Sequence, residues 1–298
     1  MKLLVTGKNG QLGRELSQVL TSIGEVVTLD RGALDLSRPD SMRAAISSVR
    51  PDVIVNAAAY TAVDAAESEP GVARAINATG PAVLAEQARS LDSLLIHYST
   101  DYVFDGGKDA PYTEDDAPNP LGVYGQTKWE GEQAILASGC RHLIFRTSWV
   151  YSPNGRNFLL TMLRLLREKP QISVVNDQIG APTSARFIAT ATAQVLTKLA
   201  GPSSTSSPSG LFHLTASGET SWWGFARLIA EASGQTATRI EPIPSSAYPT
   251  AARRPLNSRL DCSRMRSCFA VELPPWEVAV KQVVTLAMAA APATVSAR

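Results

Sequence analysis

Lys2-Leu3-Leu4-Val5-Thr6-Gly7-Lys8-Asn9-Gly10-Gln11-Leu12-Gly13 opens the chain and decides how the rest is read. A short apolar run from Lys2 to Thr6 enters a turn carrying three glycines. Arg14 to Leu20 then continues a helical spacing set by Leu12, Leu16, Val19 and Leu20. Strand, glycine turn and helix in that order form a phosphate-binding corner. Glycine lets the backbone approach a pyrophosphate, the helix N-terminus stabilises its charge, and Gly13 permits close packing of helix on sheet. The spacing is GxxGxxG rather than GxGxxG, so the corner draws its weight from its place at the first strand-to-helix junction. It predicts dinucleotide contacts from Gly7, Asn9 and Gly10.

The alternation continues outward from that corner. Glu25 to Leu29 is a second strand ending at Asp30-Arg31, where a carboxylate suits ribose hydroxyls and a guanidinium suits a 2′-phosphate, which leaves NADH and NADPH both open. A helix opens near Ser37 with Pro39 in its first turn. A third strand begins at Val53, and the small residues after it, Ala57, Ala58 and Ala59, leave room for a flat cofactor. A long helix spans Gly71 to Leu91, Leu94 to Tyr98 is a fourth strand, and Leu143 to Thr147 is a fifth. Continuous apolar strands separated by helices predict a parallel sheet covered on both faces. The fold class is therefore α/β, a Rossmann-like doubly wound parallel sheet over residues 1–150, with a returning helix near 185–199. A smaller α+β substrate-binding domain is expected to be discontinuous, over 151–184 and 211–289. Phe158 to Leu166 is its first helix and Ile172 to Val175 a strand. Gly201 to Gly210, rich in serine and proline, reads as a surface loop, and 290–298 as a frayed tail.

A second stretch carries chemistry. Ser99 and Thr100 end the fourth strand, at the sheet edge where ligands of such folds collect. Some twenty residues later comes Tyr124-Gly125-Gln126-Thr127-Lys128, a phenol and an ammonium four residues apart on one helical face. A lysine charge ~4 Å from a phenolate at an effective dielectric of ~20 is worth roughly 4 kcal/mol, or about three pKa units, enough to bring a tyrosine near neutrality. On its own the pair recurs by chance as a surface contact. With the hydroxyl pair and the glycine corner it forms a constellation for proton transfer.

Composition sets limits. With 298 residues and 44% apolar side chains the chain can bury a full core. Lys+Arg 28 against Asp+Glu 27 leaves a net charge of +1, which argues against nucleic acid or a membrane surface as partner. Cys140, Cys262 and Cys268 lack paired metal spacing and read as free thiols, and His97, His142 and His213 are scattered, so no metal is expected. Neither a signal h-region nor an apolar span is apparent, which predicts a cytoplasmic protein.

The matches then accumulate along the chain. Besides the glycine corner they include Asn56-Ala57-Ala58-Ala59, Ala62-Val63-Asp64 with Glu67-Ser68-Glu69-Pro70, and Ser99-Thr100-Asp101-Tyr102-Val103-Phe104. Tyr124 to Lys128, Arg146-Thr147-Ser148-Trp149-Val150-Tyr151, Asn176-Asp177-Gln178 with Gly180-Ala181-Pro182-Thr183, and Arg253-Arg254-Pro255 complete them. In these the chain resembles the extended short-chain dehydrogenase/reductases and, among them, the dTDP-4-dehydrorhamnose reductase family. The resemblance implies NADPH- or NADH-dependent reduction of a dTDP-sugar at C4, in the synthesis of cell-surface polysaccharide. It implies that Tyr124 protonates the sugar O4, that Lys128 binds the nicotinamide ribose and lowers the Tyr124 pKa, and that Thr100 hydrogen-bonds the reacting oxygen. Cofactor contacts are implied for Gly10, Gln11, Leu12, Asp30, Asp35, Leu36, Ala59, Tyr60 and Thr61. Ala57, Ala58, Arg31, Tyr124 and Lys128 are expected beside them. Substrate contacts are implied for Thr100, Asp101 and Trp149, with Tyr102 alongside. Adjacent guanidiniums at Arg253 and Arg254 suit a sugar-nucleotide diphosphate, or else form a solvated basic loop.

Two rival readings share the fold. A sugar-nucleotide dehydratase needs an acid and a base, and resembles Thr-Asp-Glu where this chain has Thr100-Asp101-Tyr102. A non-catalytic reading resembles the NADP-binding beta subunit of methionine adenosyltransferase. Some family members pair subunits through magnesium held by glutamates; one aligns with Glu15, but Arg186 stands where the second is expected. A guanidinium offers no lone pair to a cation, so the expectation is a monomer or a weak, metal-independent homodimer.

Overall fold

Alternation along β1 (Lys2–Thr6) sends Leu3 and Val5 to one face of a sheet and Leu4 to the other. The same division recurs in β3 (Val53–Asn56), β4 (Leu94–Thr100) and β5 (His142–Thr147), where Val55, Ile96 and Phe145 point one way and Ile54, Leu95 and Ile144 the other. Two hydrophobic layers result. Leu12 and Leu16 of the helix Gln11–Val19 and Ile188 and Val195 of the helix Ala185–Ala200 close the first. Met42 and Ile46 of Pro39–Val49, Leu84 of Gly80–Ser90 and Ile135 of Val123–Ala137 close the second. The computed structural model describes residues 1–201 and 209–290 of the chain.

All pairings in this six-stranded sheet are parallel, in the order Gly210–His213, β5, β4, β3, β1, β2, where β2 is Glu25–Leu29. It is a doubly wound Rossmann-like sheet, with Thr6, Asn56, Thr100 and Thr147 ending their strands along one edge. A second core holds Phe158–Glu168, Trp222–Ser233 and Trp276–Ala290, packed with the parallel strand pair Gln171–Val175 and Arg239–Ile243. This is the smaller α+β unit. No helix among the described residues is long and apolar enough to cross a membrane.

Three details differ from the sequence reading. The helix expected over Gly71 to Leu91 runs as Pro70–Arg74, a π turn Ala75–Thr79, and Gly80–Ser90. Gly210–His213 and Ser263–Phe269, expected in the smaller unit, belong to the first core: Phe212 lies 6.4 Å from Phe145 and 5.0 Å from Phe269, ring centre to ring centre. Ala290 ends a helix, while 202–208 of the expected loop and 291–298 of the expected tail lie outside the described residues.

Candidate active site

The glycine corner is built as tightly as its sequence requires. Gly7 takes φ +72°, which only glycine adopts freely, and a Cβ there would sit 3.0 Å from the Ala57 carbonyl and Ala58 Cα. A Cβ on Gly13 would lie 2.0 Å from the Gly7 oxygen. Gly10 N-caps the helix without any side-chain cap, and the first turn has no acidic residue, so the end is free for an anion. The corner fits a dinucleotide pyrophosphate.

A cleft of about 290 Å³ beside it brings together Gly7, Arg31, Asp35, Leu36 and the run from Ala58 to Thr61. Asp30 borders the same corner. Lys8 Nζ lies 3.1 Å from Asp30 Oδ2, and that hydrogen bond, aided by the Ala33 N–H, holds the carboxyl below its ordinary range. Arg31 reaches Asp35 at 3.4 Å with most of its side chain in water. Asn9 is exposed, and Leu12 is buried in the core. Gln11 points its Oε1 at Asn157 Nδ2, 2.8 Å away, and Ser152 Oγ, 3.2 Å away.

Lys8 was absent from the expected set, although a lysine inside a phosphate turn was a readable signal. Asn77 was also missed. It sits in the π turn, accepts from Tyr60 N at 2.8 Å and donates to Tyr60 O at 3.0 Å and Thr127 Oγ1 at 3.3 Å. It thereby straps the cofactor-side loop to the helix carrying Tyr124. Glu67 is a third: its Oε1 accepts from Val123 N at 2.8 Å and caps that helix from another segment.

Tyr124 and Lys128 share that helix, as the four-residue spacing requires. The Thr100 hydroxyl donates to Asp101 Oδ1 at 3.0 Å and accepts from Tyr102 N at 3.1 Å, and the same side chain favours the ionised form of the Tyr124 phenol. Loss of solvent around Tyr124 outweighs the influence of Thr100 and pushes the phenol up to about 12, with the Asp101 charge adding to the rise. The expected descent toward neutrality is absent, since desolvation dominates. Lys128 is buried and donates to the Tyr98 carbonyl at 2.7 Å; burial lowers its pKa to about 8 against the pull of Glu132.

Around the phenol the other expected residues sort into two groups. The Tyr102 ring meets Tyr124 edge-on at 5.5 Å. Arg254 grips Asp64 through two hydrogen bonds, of 2.8 and 3.2 Å, and its charge is felt at the Tyr102 phenol. Asp101 is buried, with Oδ1 accepting from Thr100 and Oδ2 left without a partner; burial pushes it up to about 6, opposed by the nearby Ser258 and Thr100 side chains. Arg253 is exposed. Trp149 sits at φ +49°, stacked on Trp222 at 3.7 Å and pressed against Gly180, where a Cβ would meet its ring at 2.7 Å. Gly180 also faces Ser258, so the tryptophan pair and Asp101 approach the same spot. Trp222 was not singled out in the sequence.

Glu15 and Arg186 meet at 2.6 Å, with Arg186 also donating to Gln18 at 3.0 Å. Among the described residues no three His, Cys, Asp or Glu side chains cluster to hold a metal.

Comparison with known proteins agrees with this geometry. The profile of the RmlD substrate binding domain matches residues 1–288. The chain is 47% identical over 288 residues to the dTDP-4-dehydrorhamnose reductase of Burkholderia thailandensis, covering 94% of this chain and 97% of that one. It is 44% identical over 292 residues to that of Escherichia coli K12, covering 95% and 97%. Among solved structures, the Clostridium acetobutylicum dTDP-4-dehydrorhamnose reductase superposes with a TM-score of 0.91 at 35% identity, over 97% of this chain and all of that one. The Bacillus anthracis enzyme, solved with NADP, gives 0.88 at 32%, over 96% and 99%. On a match that runs nearly end to end, this chain belongs to the RmlD family of dTDP-4-dehydrorhamnose reductases.

Proposed function

We propose that this protein reduces the C4 ketone of dTDP-4-dehydro-L-rhamnose to dTDP-L-rhamnose, using NADPH or NADH, as a step of dTDP-rhamnose biosynthesis. The observation that carries the reading is the Thr100 hydroxyl set against the Tyr124 phenol on a helix that buries Lys128 one turn later. The reduced nicotinamide, when bound, supplies the hydride.

The protein's own part is positioning and proton transfer. Tyr124 donates its proton to O4 as negative charge develops there, and a phenol pushed up to about 12 is fully protonated at neutral pH, the state a reductase donor requires. Thr100 donates to the same oxygen or to the phenolate left behind. Lys128 holds the nicotinamide ribose, and its charge favours that phenolate. The glycine corner receives the pyrophosphate, while Lys8, Asp30 and Arg31 meet the adenosine ribose. Asp101, Tyr102, Trp149 and Arg254 line the sugar-nucleotide side, and Arg253 reaches the diphosphate from solvent. Elimination of water has less support, because Tyr102 stands where a dehydratase needs its second carboxylate.

The Glu15–Arg186 ion pair supports a monomer or weak metal-independent dimer, as it fills with a guanidinium the place of a bridging cation. A cytoplasmic location follows from the substrate class proposed. The test is oxidation of NADPH and NADH by dTDP-4-dehydro-L-rhamnose, with the product identified by NMR. Turnover to dTDP-L-rhamnose is expected. Absence of oxidation with this and other 4-keto sugar nucleotides overturns the reading.

A further inference from the structure

Behind Lys128 a line of buried polar groups crosses the sheet from one strand end to the next. Thr6 on β1, Asn56 on β3 and His97 on β4 are each 1% exposed, and none contacts solvent or the cleft directly. Thr6 Oγ1 donates to Asn56 Oδ1 at 2.7 Å, Asn56 Nδ2 lies 3.0 Å from His97 Nδ1, and His97 Nε2 lies 3.2 Å from Lys128 Nζ. A polar chain of this kind in a sheet interior costs desolvation at every member, so its members must be mutually satisfied. We infer that His97 is a positioning residue for Lys128, and that Asn56 selects the imidazole tautomer that makes it one. The inference rests on the reading of Lys128 as the group that serves the cofactor ribose and the phenol.

The direction of each bond follows from donors that have no choice. The Ala58 backbone N–H can only donate, and it reaches Asn56 Oδ1 at 3.3 Å. That fixes the amide oxygen toward Ala58 and Thr6 and leaves Asn56 Nδ2 to donate to His97 Nδ1. A neutral imidazole accepting at Nδ1 carries its proton on Nε2, the atom facing Lys128. An imidazolium is disfavoured, because burial, followed by the Lys128 charge, holds the ring well below its ordinary pKa. The Nε2–H therefore points at the lysine nitrogen, while the lysine donates to the Tyr98 carbonyl on another side. Donor meets donor when Lys128 is an ammonium, and donor meets lone pair when it is an amine.

The other ionisable groups around Lys128 do not reverse this. Glu132, one turn further along the helix, favours the ammonium but is committed to Arg146 on β5 through bonds of 2.9 and 2.6 Å. Asp101 is felt at Tyr124, on the site side. The lowered Lys128 pKa, about 8, agrees with a nitrogen that surrenders its proton readily. His97 thus orients the lysine and sets how firmly it holds the charge that the ribose and the phenolate use.

Nitrogen-15 NMR of histidine-labelled protein reads the tautomer without any substrate, so it stands or falls apart from the proposed reaction. His97 is expected neutral, protonated on Nε2 and not on Nδ1, across the pH range in which exposed histidines titrate. In Asn56→Asp the carboxylate cannot donate, so the proton moves to Nδ1 and Nε2 becomes an acceptor. In kinetics, His97→Leu and Asn56→Asp should move the basic limb of kcat/KM for NADPH upward by about one pH unit or more, the scale of a hydrogen bond to a charged group. His97→Gln, whose amide can donate, should keep the wild-type limb. Protonation at Nδ1 in the wild-type protein overturns the inference. So does a His97→Leu profile superimposable on the wild type, and if that variant fails to fold the NMR result decides alone.

Discussion

Gly13→Ala is a perturbation whose cost can be worked from distances. An added Cβ would stand 2.0 Å from the Gly7 carbonyl oxygen and 2.6 Å from its carbon, where ordinary contact begins at 3.4 Å, so something must move by 3.4 − 2.0 = 1.4 Å. Turning the Gly7 carbonyl away breaks its 2.8 Å bond from Gly10 N, which forfeits about 1 kcal/mol. Lifting the helix instead separates Leu12 and Leu16 from the sheet, an overpacking response of about 1–3 kcal/mol. Either route costs about 1–3 kcal/mol, equivalent to a fall of roughly 2–5 °C in Tm for a chain of this size. Both routes also displace the turn that is to receive the pyrophosphate, so NADPH affinity should fall at least about 10-fold. Differential scanning fluorimetry and fluorescence titration measure the two effects. Gly71→Ala is the internal control: it lies in an exposed helix with nothing within 4 Å of an added Cβ, and should stabilise by about 0.5–1 kcal/mol. A Gly13→Ala protein with wild-type Tm and wild-type NADPH affinity would refute the reasoning.

Tyr124→Phe should lower kcat by about 100-fold or more while leaving the Kd for NADPH nearly unchanged, since the phenol acts on charge that develops in the transition state; a kcat within a few-fold of wild type is the losing result. Arg31→Ala and Lys8→Ala should each raise KM for NADPH more than for NADH, because only the former carries a 2′-phosphate, and equal effects on both remove these residues from that phosphate. Asp101 has a folded pKa of about 6, above its ordinary 3.8, so the stability it contributes is fully present below about 4 and lost as pH rises through 6. Asp101→Asn should accordingly gain on the wild type across that window, by on the order of 3 kcal/mol at pH 8; a Tm difference independent of pH contradicts the burial argument. Sedimentation with magnesium and with EDTA should give the same species, and a dimer that dissociates only on chelation would falsify the metal-free assembly.

The strands that buried both faces were legible because continuous apolar runs of that length, set between helices, suit a parallel sheet: β1 needed no correction, and β5 only one residue at its start. The glycine corner was legible for a similar reason, since positive φ and a 2.0 Å approach admit one residue type. What escaped was whatever depended on a distant partner. The π turn at Ala75–Thr79 exists to aim Asn77 at Tyr60 and Thr127, neither of which is near it in sequence. Gly210–His213 reads as the start of the smaller unit until Phe212 is seen against Phe145 and Phe269. The phenol's pKa went the other way for the same reason: helical spacing reveals an ammonium four residues off, but not how much water the fold removes from both groups.

The side chain of Gln11 has a mechanical consequence. Its oxygen accepts from Asn157, and Asn157 in turn caps the helix Phe158–Glu168 by accepting from Leu160 N at 2.9 Å. The turn poised for the pyrophosphate and the first helix of the smaller unit are therefore separated by two side chains, without an intervening loop to absorb strain. A shift of the turn therefore reaches that helix through only two hydrogen bonds, which couples the smaller unit mechanically to the glycine corner.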